Sequence, residues 1–107
     1  MSLRFAPEIT KRMRTALMSR GRTLASMLAD VLAGKQPPGL QALLAGKPGA
    51  RPDEVLRLAL DQVEARRKLI DADDDRYGRC DICGLDLGEP AMQEVPWADR
   101  CPAHAKL

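Results

Sequence analysis

The sequence predicts a mainly α-helical fold: an antiparallel, coiled-coil-like helical hairpin followed by a small, loop-rich C-terminal module. Three observations lead there. Two long stretches place apolar residues three, four and seven apart, the period of one helical face. A Pro/Gly-rich connection over residues 34–52 separates them. From Tyr77 onward, Gly78, Gly84, Gly88, Pro90, Pro96 and Pro102 interrupt any long helix. The expected division is a hairpin over 1–76 and a compact module over 77–107.

The first helix is expected over about 7–33. Pro7 suits the first helical position, and Glu8 favours the positive end of the dipole. Phe5, Ile9, Met13, Leu17, Leu24, Met27, Leu28, Val31 and Leu32 mark its apolar face. Gly21 falls mid-helix, at a cost of ~1 kcal/mol against Ala. Gly34 is the expected stop.

Within the connection, Leu40-Gln41-Ala42-Leu43-Leu44 is long enough for a short helix. Leu40, Leu43 and Leu44 either anchor a partner or pack back on the hairpin end. The second long helix is expected over about 53–76, started by Pro52, Asp53 and Glu54. Its seam reads as Leu56, Leu60, Val63, Arg67 and Ile70. Two such helices should pair seam to seam. Asp71, Asp73, Asp74 and Asp75 oppose the dipole at its far end, so fraying before Tyr77 is expected.

The chain has 107 residues, and Phe5, Tyr77 and Trp97 are its only aromatics. A core so short of aromatics needs another source of stability, such as a metal. Net charge is +2. Residues 1–35 carry seven bases against two acids, and residues 71–107 carry nine acids against four bases. That polarity does not describe a generic nucleic-acid binder. The run Lys11-Arg12-x-Arg14, with Arg20 and Arg22, is either a solvated face or a contact for an acidic surface. No signal peptide or membrane span is expected, and the reading is a soluble, cytoplasmic protein.

The three cysteines and the single histidine fall into two pairs, Cys80-x2-Cys83 and Cys101-x2-His104, seventeen residues apart. Two-residue gaps let both side chains of a pair reach one ion. Thiolates and an imidazole suit tetrahedral zinc, with iron a weaker alternative. Four protein ligands leave no open position, so one structural zinc ion is expected and the module is a zinc finger. Gly84 permits the tight turn after Cys83. No nucleophile triad, phosphate loop or carboxylate pair is available, and no enzyme is expected. Direct DNA binding is not expected either: residues 77–104 hold Arg79 and Arg100 against Asp81, Asp86, Glu89, Glu94 and Asp99.

Around these ligands the sequence resembles the DksA/TraR family of zinc-finger regulators. The matching residues are Tyr77-Gly78 before the first cysteine, Gly84 after the second, Leu87, Pro96 five before Cys101, and the seventeen-residue gap. The match is specific over 70–104 and architectural over 1–69. It implies a hairpin that binds RNA polymerase near its secondary channel, with an acidic tip acting near the active centre. The chain departs from the family in several ways. Its tip, residues 34–52, holds no acid, and Asp30 is the nearest substitute by position. Ala91-Met92 replaces the frequent Arg-Leu pair, and His104 replaces the commoner fourth cysteine. Three residues follow His104, so the C-terminal helix of longer members is not expected. The competing reading is a zinc-stabilised interaction module with a partner other than RNA polymerase. Either oligomeric state is compatible with two amphipathic helices.

Overall fold

The computed structural model describes residues 5–45 and 47–104. The described residues form four helices: α1 (Pro7–Leu32), α2 (Leu40–Leu44), α3 (Pro52–Asp71) and α4 (Glu89–Glu94). Helix α1, with 26 residues, is about 39 Å long at 1.5 Å per residue. It packs against α3 as a hairpin. The register is antiparallel. Arg14 meets Asp71 across the seam at 2.8 Å. Seven residues further along α1, Gly21 faces Val63, eight residues back along α3.

Both long helices end in the same way. Gly34 takes φ 84° and its N–H bonds the Val31 carbonyl, while the Lys35 N–H reaches Asp30. At the end of α3, Asp73 takes φ 55°, its N–H bonds Ile70, and the Asp74 N–H reaches Leu69. This pair of bonds, closed by a left-handed residue, is the Schellman stop. The end of α3 corrects the expected boundary at 76: the helix stops at Asp71. The aspartates that follow are ordered by specific bonds. Asp71 pairs with Arg14, and Asp74 accepts from the Arg76 backbone and side chain. The Arg76 hydrogen bonds hold the Asp74 carboxyl down at about 2.

The core is one cluster running the length of the seam. Met13, Leu17, Leu24 and Met27 of α1 meet Leu56, Val63 and Ile70 of α3. Leu40 of α2 closes one end, where its burial leaves 4% exposed. Leu43 and Leu44 are half-buried against the same cluster. Tyr77, Phe5 and Met92 close the other end, with the Phe5 and Tyr77 rings edge to face at 6.1 Å. Met92, fully buried, fixes the short helix α4 against the hairpin. Helix α4, of six residues, is short enough to lie among the breakers that interrupt any long helix. Gly88, at φ 88°, precedes it, and Pro90 falls in its first turn, where proline is tolerated.

The seam of α3 differs from expectation at one position. Arg66, not Arg67, occupies the buried stripe between Val63 and Ile70. Residues 66 and 67 both lie three or four from each neighbour, so spacing alone does not choose between them. The partner chosen by Arg66 does.

Candidate metal centre

The C-terminal module begins with a tight reversal. Gly78 at φ 84° turns the chain after Tyr77, and Arg79 forms an antiparallel bridge with Asp86. The Leu87 N–H donates to the Gly78 carbonyl, and the Cys80 N–H donates to Leu85, each at 2.8 Å. Inside this reversal the Cys80 carbonyl accepts from the Gly84 N–H at 2.9 Å, with Gly84 at φ 75°. A side chain there would be strained by backbone conformation, although nothing crowds the position. The second ligand pair sits in its own turn, closed by His104 N–H to the Cys101 carbonyl at 2.9 Å. A bond from the Asp81 N–H to the Asp99 carbonyl, 2.8 Å, joins the two turns.

These turns bring together all four residues singled out from the sequence. The Cys80, Cys83 and Cys101 sulfurs and a His104 ring nitrogen all lie within 4.8 Å of one another. Cys83 Sγ is 3.7 Å from Cys101 Sγ. His104 Nδ1 is 3.6 Å from Cys80 Sγ and 3.2 Å from Cys101 Sγ. A disulfide needs about 2.0 Å, so the thiols are unbonded to each other. A tetrahedron with metal–sulfur bonds of about 2.3 Å and metal–nitrogen bonds of about 2.0 Å has edges of about 3.5–3.8 Å. Three of the separations fall close to those edges and the rest stay within 4.8 Å, so the residues fit one four-coordinate ion. Cys80 and Cys101 are buried, His104 is half-buried and Cys83 is exposed.

The electrostatics of the group favour a cation at its centre. Desolvation raises the Cys80 thiol, but backbone hydrogen bonds from Cys101, Cys83 and Ile82 outweigh it and bring it to about 6. At Cys83 a backbone hydrogen bond from Leu85 lowers the thiol, yet desolvation and the Cys80 and Cys101 sulfurs prevail and push it up. Three thiols this close resist becoming three thiolates together. A metal dication removes that repulsion by replacing their protons.

Tyr77 and Trp97 hold this module to the hairpin. The buried Tyr77 hydroxyl donates to the Pro96 carbonyl at 2.8 Å. Half-buried Trp97 packs against the core and carries the Arg20 guanidinium 4.3 Å from its ring centroid. Trp97 is therefore an attachment point between the module and the hairpin. Arg14 and Arg20 of the basic run are engaged in contacts within the fold, whereas Lys11, Arg12 and Arg22 are exposed. The Arg20–Trp97 contact has no signature in the sequence, because the two lie far apart in the chain.

The other candidate residues lie in or beside the connection between α1 and α3. Asp30 is half-buried in the last turn of α1, beside Met27 and the Pro37-Pro38 step. Leu40 belongs to the core, and Leu43 lines a groove with Val55, Leu58 and Trp97. These four residues do not form one site with the metal ligands. No described helix is long and apolar enough to cross a membrane.

No protein-family model matches this chain, and neither the curated proteins nor the solved structures contain a match to it.

Proposed function

We propose that the protein is a DksA/TraR-like transcription regulator that binds RNA polymerase, with its four-ligand centre occupied by a structural zinc ion. The observation that carries this reading is a Cys3His cluster that follows an antiparallel helical hairpin and is tied to its second long helix through Arg66 and Asp81. The residues behind the resemblance have distinct structural jobs. Gly78 and Gly84 adopt left-handed backbone, and Tyr77 and Pro96 are bonded to each other. A chance pairing of cysteines would not require those four residues.

Zinc suits the donor set: three thiolates and one imidazole, with no fifth ligand position for chemistry. Its role would be to bind the two turns together and so fix the direction of the hairpin. The finger's surface would then dock on the polymerase while the hairpin enters the channel mouth. Helix α1, about 39 Å long, gives the hairpin the reach for this. The role is binding, not catalysis.

A second reading is favoured by one observation. The connection between α1 and α3 contains no acidic residue, and Leu43 lies half-buried in a groove of mixed lining there, with Lys47, Glu54, Leu58 and Trp97. In that case the chain is a zinc-stabilised module for another protein partner. Pull-down of core RNA polymerase by the zinc-loaded chain separates the two. Capture at low salt, weakened as salt rises, supports the first reading. No capture at low salt contradicts it.

A further inference from the structure

Arg66 is the one charged side chain among the described residues that is buried within the seam, with 5% of its surface exposed. Its Nη2 lies 3.1 Å from both carboxylate oxygens of Asp81. Its Nε and Nη1 are buried without hydrogen-bond partners. The guanidinium is thus compensated through Asp81, and a buried charge that loses its partner is strongly disfavoured.

Asp81 is one of the two residues between the ligands Cys80 and Cys83. Its backbone N–H also holds the Asp99 carbonyl, two residues before the ligand Cys101. One residue therefore touches both ligand pairs through the backbone and the hairpin through its side chain.

We propose that Arg66 is a positioning residue of the metal centre: by gripping Asp81 it holds the Cys80–Cys83 turn in ligating geometry and passes metal occupancy on to α3. Metal binding fixes the turn, the turn presents Asp81, and Asp81 neutralises Arg66 inside the seam. Loss of the metal releases the turn, and the buried guanidinium then loosens α3 around Val63–Ile70. Groups that orient metal ligands without touching the metal typically carry about 10- to 100-fold in affinity.

Through-space charge and positioning predict opposite signs for one variant. Removing a cation near a dication should tighten metal binding if only through-space charge matters. Removing the anchor of the ligand turn should weaken it.

The test measures Zn2+ affinity of the full chain by competition with a chromophoric chelator. The set is wild type, Arg66→Met, Asp81→Asn and the double variant. The expected result is about 10- to 100-fold weaker binding for each single variant. The double variant should be no weaker than the weaker single, because both changes break one interaction. Amide hydrogen exchange supplies the second readout. Zinc removal should lower protection over Val63–Ile70 at least about tenfold in wild type and leave it unchanged in the double variant. The Asp81 side chain is 45% exposed, so Asp81→Asn tests the idea without opening the core if Arg66→Met fails to fold. Wild-type affinity in Asp81→Asn, tighter binding in Arg66→Met, or α3 protection insensitive to zinc in wild type would each overturn the role of Arg66. A wild-type chain that binds no zinc would overturn the metal reading on which this inference rests.

Discussion

The hydroxyl of Tyr77 donates a 2.8 Å hydrogen bond to the carbonyl of Pro96, joining the entry of the C-terminal module to the segment before its third ligand. Burial pushes this phenol up to about 12, with the Arg66 charge opposing weakly. The neutral phenol can donate the bond and the phenolate cannot.

Tyr77 is the only tyrosine, so absorbance titration of the phenolate reports it alone. The midpoint is expected near 12, against the ordinary 10. Because the folded value is raised, the contribution to stability is complete below about 10. It is lost as pH rises from about 10 through about 12. Tyr77→Phe leaves the Pro96 carbonyl without its donor and should cost about 1–2 kcal/mol in chemical denaturation.

Gly21 sits inside α1, where its backbone freedom weakens the helix. A Cβ added there would meet Val63 Cγ1 at 3.7 Å, an ordinary van der Waals distance. Gly21→Ala is therefore expected to stabilise the fold by about 0.5–1 kcal/mol, read as a higher denaturation midpoint. A larger residue, as in Gly21→Leu, should overpack the seam and lower that midpoint.

Asp73 ends α3 in left-handed backbone, at φ 55°, a conformation that costs an L-residue about 1 kcal/mol. Asp73→Gly should recover much of that cost and raise the thermal midpoint. The opposite holds at Gly34, φ 84°, which has open space around it. Gly34→Ala should destabilise through backbone strain alone, by about 1 kcal/mol.

Much of this arrangement is legible in the sequence, for local reasons. The four ligands are named by residue type and short spacing, which survive any tertiary detail. Gly34 and Pro7 bound α1 because capping depends on nearest neighbours. Leu40, Leu43 and Leu44 are long enough in pattern to be read as a helix, though not as core or contact. Position 66 was not legible. Val63 and Ile70 permit either 66 or 67 on the buried stripe, and charge argues against both. Arg66 is buried because Asp81, on another element, meets it there. The end of α3 is hidden in the sequence for a related reason. Asp73 is not a usual left-handed cap, so no glycine marked the stop that the backbone makes. Helix α4 depends on Met92 being pulled into the core, and Pro90 there reads equally as a start or a break.

Cys80, Cys83, Cys101 and His104 are expected to hold one metal ion in a closed, four-ligand shell. Titration of the reduced, metal-free chain with cobalt(II), followed by displacement with zinc, tests this most directly. The expected result is saturation at one equivalent, with intense visible absorption of a tetrahedral ion and sulfur-to-metal charge transfer. Zinc should then bleach that spectrum stoichiometrically, and both Cys83→Ser and His104→Ala should weaken the complex. A weak, octahedral-type spectrum, or no saturable binding by the wild-type chain, would contradict the account.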